Sequence, residues 1–205
     1  MQDSTTRIAL EPQRRHGKQR VADLMEAGAA VIAERGFEAA TMAEIAARAD
    51  APIGSLYRFF PNKQVLAEAL FERYVELLNL AFESISDDPK ELSTEAFADA
   101  LLALLVGLRS ETKAFVVLSD AHLDWSARCI ELRHAILQHI ARKLKLRNPH
   151  LDGETADDMA AVVLQNMKAI SSYSKQEDRD RAGVIEQLRD MTRLYLRSRL
   201  DVGDT

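Results

Sequence analysis

The chain has 205 residues, 47% of them apolar, which suits either one large globular domain or a small one beside a larger one. Its longest unbroken apolar run, residues 100–106, is far too short to span a bilayer, and the opening Met1-Gln2-Asp3-Ser4-Thr5-Thr6 lacks the apolar stretch of a secretory signal. A single cysteine, Cys129, allows no intrachain disulfide, and the net charge of −5 argues against a chain that is basic throughout.

These features lead us to expect a soluble cytoplasmic protein with no membrane partner. Proline and glycine are scarce, at five and eight residues. Apolar residues recur at three- and four-residue spacing and no alternating strand pattern stands out, so the predicted class is all-α, with about nine helices.

Residues 1–17 are polar, contain Pro12 and Gly17, and are expected to form a flexible basic arm. The first helix is predicted over 18–35. Val21, Leu24, Gly28 and Ile32 share its inner face, Gly36 caps its C-terminus and Phe37 anchors the core behind it. Thr41-Met42-Ala43-Glu44 fits a capping box and opens a second helix, on which Ile45 and Ala49 continue the buried face. A tight turn follows at Ala49-Asp50-Ala51. Pro52 then suits the first turn of a third, short helix over 52–59. Pro61 breaks that helix, and Asn62 can cap a fourth over 63–83.

Ser86-Asp87-Asp88-Pro89 is the natural boundary to a second domain. Further helices are predicted over 94–109, 112–121, 126–146, 154–174 and 179–200. Breaks are expected near 110–111, at Trp125, at Asn148-Pro149 and over 175–178. The resulting plan is an arm (1–17), a three-helix head (18–63), a connecting helix (64–85) and a larger helical domain (86–205).

Two short helices joined by a tight turn, within 41–63, read as a helix-turn-helix. In that arrangement the second helix enters the major groove of DNA. Gly54 lets DNA approach closely, and Ser55 and Tyr57 offer hydroxyls to phosphates or base edges. Arg58 carries the forked donors that match guanine, Lys63 and Thr41 can meet phosphate, and Leu56 and Phe60 face inward. Residues 1–63 hold nine basic against eight acidic residues, so the acidity lies elsewhere and a local basic face can still bind phosphate.

The run Gly54-Ser55-Leu56-Tyr57-Arg58-Phe59-Phe60-Pro61-Asn62-Lys63, with Gly36-Phe37-Glu38-Ala39-Ala40-Thr41 upstream, resembles the DNA-binding domain of the TetR family. The resemblance implies a dimeric regulator, usually a repressor, that leaves a near-palindromic operator when a small effector binds. Its implied DNA contacts are Lys18, Thr41, Pro52, Ile53, Gly54, Ser55, Tyr57, Arg58 and Lys63. Two positions depart from the family pattern. Asp50 stands where the turn often has glycine, which aspartate's tolerance of the left-handed region permits. Ile53 stands where a polar residue is common, which suggests contact with a thymine methyl or packing.

The resemblance also implies that the last two helices pair with a second copy. Met159, Val163, Met167 and Ile170 share one face, and Ile185, Leu188, Met191 and Tyr195 share another; the plain alternative is the domain's own core. Between head and tail, Phe97, Leu101, Leu104, Leu105, Phe115, Leu118, His122, Trp125 and Ile136 are the candidate liners of an effector pocket. Their apolar and aromatic character points to a lipophilic small molecule.

No catalytic pattern, metal-ligand spacing or cofactor motif is recognisable. His134 and His139 are five apart, off a common face, and the other histidines are isolated. Cys129 is expected as a buried apolar filler beside Leu132, Ile136 and Ile140. The competing functions are an all-α small-molecule-binding protein or enzyme without DNA-binding activity, and a DNA-binding protein with no effector.

Overall fold

The computed structural model describes residues 15–88, 91–108, 123–174 and 182–201. Among them are eight helices and no strand: α1 (Arg15–Arg35), α2 (Met42–Arg48), α3 (Ile53–Phe59), α4 (Lys63–Glu83), α5 (Thr94–Gly107), α6 (Leu123–Arg147), α7 (Gly153–Tyr173) and α8 (Ala182–Leu200). The first helix begins three residues earlier than expected, so part of the predicted arm is helical. Trp125, where a break was predicted, falls inside the first turn of α6. The helix predicted over 112–121 and the break over 175–178 lie outside the described residues.

The described residues divide into two compact units, one within 1–76 and 110–127 and one within 77–109 and 128–205. In the first, α1 packs on α2 and α2 on α3. Leu24, Ile32, Phe37, Ile45, Leu56, Phe60 and Leu66 are buried at its centre. Gly28 faces α4 so closely that a Cβ there would stand 3.0 Å from Leu66 Cδ2, so glycine sets the approach of the two helices. Gly36 ends α1 with φ +84°, in the left-handed region that L side chains avoid, and its amide bonds Ile32 O at 2.9 Å.

In the second unit α5 is the central element and packs on both α7 and α8. Phe97, Leu101, Leu102, Leu104 and Leu105 of α5 and Met159, Val163, Leu164, Met167 and Ile170 of α7 are all buried. Ser93 and Asp152 cap α5 and α7 by accepting the amides of Ala96 and Thr155. Arg193 on α8 grips Asp99 on α5 with two hydrogen bonds of 3.0 and 2.7 Å. The ammonium of Lys143 is buried; it donates to Ile85 O at 2.6 Å and to Asp87 Oδ1 at 2.7 Å, tying the segment after α4 to α6.

Two predictions about this unit are corrected. Met159, Val163, Met167 and Ile170 are at most 3% exposed because α7 turns that stripe into the unit's own core, so they cannot form a surface for a second copy. Cys129 is only half-buried, beside half-buried Arg128 and exposed Ile130.

Candidate nucleic-acid interface

The turn between α2 and α3 sets the presentation of α3. Thr41 Oγ accepts the Glu44 amide at 3.2 Å while Glu44 Oε2 accepts the Thr41 amide at 3.1 Å, which completes the predicted capping box. The same carboxylate accepts the Thr41 hydroxyl at 2.8 Å, and these bonds hold the Glu44 carboxyl below the usual glutamate range. The hydroxyl proton of Thr41 is thus engaged within the chain. At the other end of α2, Asp50 takes φ 45° and the Ala51 amide returns to Ala46 O at 3.0 Å. Aspartate tolerates this conformation, so the turn closes without glycine.

Pro52 then starts α3 with φ −58° and ψ 135°, a backbone its ring favours. Leu56, Phe59 and Phe60 anchor the helix, each at most 8% exposed. With 3.6 residues per turn, the remaining positions fall into ridges four residues apart. Ile53 and Tyr57, 44% and 49% exposed, form one ridge. Gly54 and Arg58, both exposed, form the next. Pro52 is exposed and Ser55 half-buried. Arg58 makes no ion pair among the described residues; its guanidinium lies 5.6 Å from the Phe59 ring centre.

Gly54 stands in the middle of this outward surface. A Cβ built on it meets nothing within 4 Å, and its φ is not in the left-handed region. Nothing in the fold therefore requires a glycine there, although glycine costs a helix roughly 0.5–1 kcal/mol relative to alanine.

Lys63 has a different role from the one expected. Its ammonium donates to Phe37 O at 2.5 Å, Glu38 O at 2.9 Å and Ala40 O at 3.0 Å, and it lies 4.6 Å from the Phe37 ring centre. An ammonium has three N–H donors. All three close the loop between α1 and α2, which leaves none for phosphate. Asn62 Oδ1 caps α4 on the Val65 amide at 2.8 Å, as predicted. Arg48 is paired bidentately with Glu34, at 2.9 and 2.6 Å. Lys18 is exposed on the first turn of α1. Short-range spacing cannot reveal the Lys63 or Arg48 pairings, because their partners lie 14 to 26 residues away.

In the second unit, Phe97, Leu101, Leu104, Leu105 and Ile136 are each buried. Phe115, Leu118, His122 and the Trp125 side chain lie outside the described residues. Clefts open in this unit among the described residues. One of about 380 Å³ is lined by Thr94, Glu95, Arg147, Arg197 and Asp201 among others, and one of about 530 Å³ by Gln138, Arg142, Lys145, Leu146 and Asp157 among others. Among the described residues, none of the predicted effector residues borders either.

On α8 the exposed apolar residues are Val184, Met191 and Leu194, and Val162 is exposed on α7. Of the residues predicted to meet a second copy, Met191 is exposed, and Ile185, Leu188 and Tyr195 are half-buried. Val162, Val184 and Leu194 were missed because they lie off the stripes that fill the core.

Residues 24–70 match the family described as bacterial regulatory proteins, tetR family. The chain is 38% identical over 74 residues to the HTH-type transcriptional repressor KstR of Mycolicibacterium smegmatis, covering 34% of each chain. It is 30% identical over 115 residues to the fatty acid metabolism regulator protein of Bacillus subtilis, covering 56% of this chain and 54% of that one. The aligned parts thus span between a third and about half of these relatives. Among solved structures, a transcriptional regulator of the TerR/AcrR family from Aquifex aeolicus VF5 superposes with a TM-score of 0.67 at 18% identity, covering 87% of this chain and 98% of that one. The shared fold therefore runs well beyond the N-terminal match.

Proposed function

From the match of residues 24–70 to the tetR family of bacterial regulatory proteins, we propose that the chain is a TetR-type regulator: a homodimeric, sequence-specific DNA-binding protein that a lipophilic small molecule releases from its operator. One observation carries the DNA-binding part. The outward surface of α3 exposes Ile53, Tyr57 and Arg58 around Gly54, whose missing side chain no contact among the described residues explains. A glycine kept at a cost to the helix makes sense where another molecule must come close. Pro52, Ser55 and the exposed Lys18 belong to the same proposed interface. Thr41 and Lys63 hold the turn and the loop beneath it.

For the second copy, the proposed surface is the outward face of α8, Val184, Met191 and Leu194, with Leu188 and Tyr195 at its edge and Val162 on α7. Two recognition helices about one turn of DNA apart would then read a near-palindrome. For the effector, the proposed site is the apolar centre of the second unit around Phe97, Leu101, Leu104, Leu105 and Ile136. The alignment with the Bacillus regulator is too long to be confined to residues 1–76, and that protein's name supports a lipid-related ligand. Release follows from linkage: an effector that favours the conformation poorly matched to DNA lowers DNA affinity, and a coupling of ~1–3 kcal/mol changes it about 5–150-fold.

Gly54→Ala tests the reading directly. The helix gains up to about 1 kcal/mol from alanine's propensity, so the free protein should melt at the same or a higher temperature. Affinity for a duplex selected from a random library should fall. A variant that binds DNA as tightly as the wild type would remove the observation on which the proposal rests.

A further inference from the structure

Ile53 and Tyr57 are the large apolar residues exposed in the first unit among the described residues, and they stand four apart on one short helix. Every other large apolar side chain of α3 points inward: Leu56 is fully buried, and Phe59 and the following Phe60 nearly so. The neighbouring ridge is empty at Gly54 and ends in the guanidinium of Arg58. The bare centre lets the helix seat deeply, so a short branched side chain in its first turn reaches as far as a longer one would on a helix held away.

The outward positions of α3 offer one hydroxyl on Tyr57, one half-buried hydroxyl on Ser55 and one guanidinium on Arg58. They include no carboxamide and no carboxylate. Adenine is typically read by the paired donor and acceptor of Asn or Gln, and cytosine by Asp or Glu. Neither is available here. In the major groove the partner of an aliphatic side chain is the C5-methyl of thymine, an apolar group that cytosine lacks and to which deoxyuridine presents only hydrogen.

From this we infer that Ile53 is a specificity-determining residue that reads a thymine methyl in each operator half-site. The inference rests on the reading that α3 enters the groove. Arg58, on the next ridge, would then address a position beside that thymine, so a guanine or a phosphate is expected close to it.

The experiment uses the intact chain and a duplex selected from a random library. Each thymine of one half-site is replaced in turn by deoxyuridine, which removes the methyl and leaves pairing intact. Binding is compared for wild type, Ile53→Ala and Ile53→Val. At one position the wild type should lose about fourfold in affinity, what burial of one methyl-sized apolar group is worth. Ile53→Ala should bind the thymine duplex more weakly and be indifferent to the replacement, with Ile53→Val between the two. Ile53 is exposed, so the variants should melt as the wild type does, which separates loss of reading from loss of fold. Sequence-specific binding in which no thymine methyl depends on Ile53 overturns the inference and leaves the DNA-binding reading standing. Failure to select any preferred duplex overturns both.

Discussion

Lys63 shows how a residue that looks like a ligand on paper can be a structural part. It sits at the end of the most informative motif and carries a charge that suits phosphate, yet its three donors all close on carbonyl oxygens of the preceding loop. Lys63→Met should therefore leave those carbonyls poorly paired and lower the stability of the N-terminal unit by about 1–3 kcal/mol. Thermal melting tests the change. The salt dependence of DNA binding should stay as in the wild type; a salt slope reduced by roughly 0.9 per chain, at unchanged melting temperature, would return Lys63 to the phosphate.

His139 makes a second prediction at this scale. It stacks on Phe82 with ring centres 5.0 Å apart and hydrogen-bonds Asn79 at 3.1 Å. Burial holds its pKa below the ordinary histidine value, and the nearby charges of Arg142 and Lys143 add to this, against a smaller opposing effect of Glu83. The unfolded chain thus binds the proton more readily, so the contribution of His139 is present above the ordinary histidine value and is lost as pH falls through and below it. The melting temperature should drop between about pH 7 and about pH 5, and His139→Gln should flatten that drop.

Among the elements, α4 was legible to the residue, because its cap Asn62 and its apolar spacing are local signals. The turn before α3 was legible for the same reason. The fate of an apolar stripe was not. The spacing of Met159, Val163, Met167 and Ile170 says that one face of α7 is covered, and says nothing of which partner covers it. The cover proves to be α5 of the same chain, because α5 is apolar nearly all round and needs neighbours on several sides. The face proposed for a second copy is the outward one of α8, with exposed Val184, Met191 and Leu194. Met191→Asp combined with Leu194→Asp should yield a folded monomer by light scattering, with weakened DNA binding. Met167→Asp places a charge in the core and should unfold the second unit instead. A double variant that still runs as a dimer would move the interface off α8.

For the whole molecule, the fold class followed from helical spacing, and the proposed DNA-binding head from a motif whose geometry is local. The pairing of Lys143 with Asp87, more than fifty residues apart, had no local signal. Helix α4 runs unbroken from residues of the first unit into residues of the second. A continuous helix of this kind is a natural carrier of the proposed linkage, and effector and operator should weaken each other by the same factor.

The most direct measurement is a binding titration of the intact chain against its selected duplex across a series of salt concentrations, beside a Tyr57→Ala/Arg58→Ala variant. The wild type should bind as two chains per site, with affinity falling steeply as salt rises and a clear preference over scrambled DNA. The variant should melt normally and lose that preference. Equal binding of selected and scrambled duplexes by the wild type, or an unchanged preference in the variant, would contradict the assignment of α3 as the reading helix.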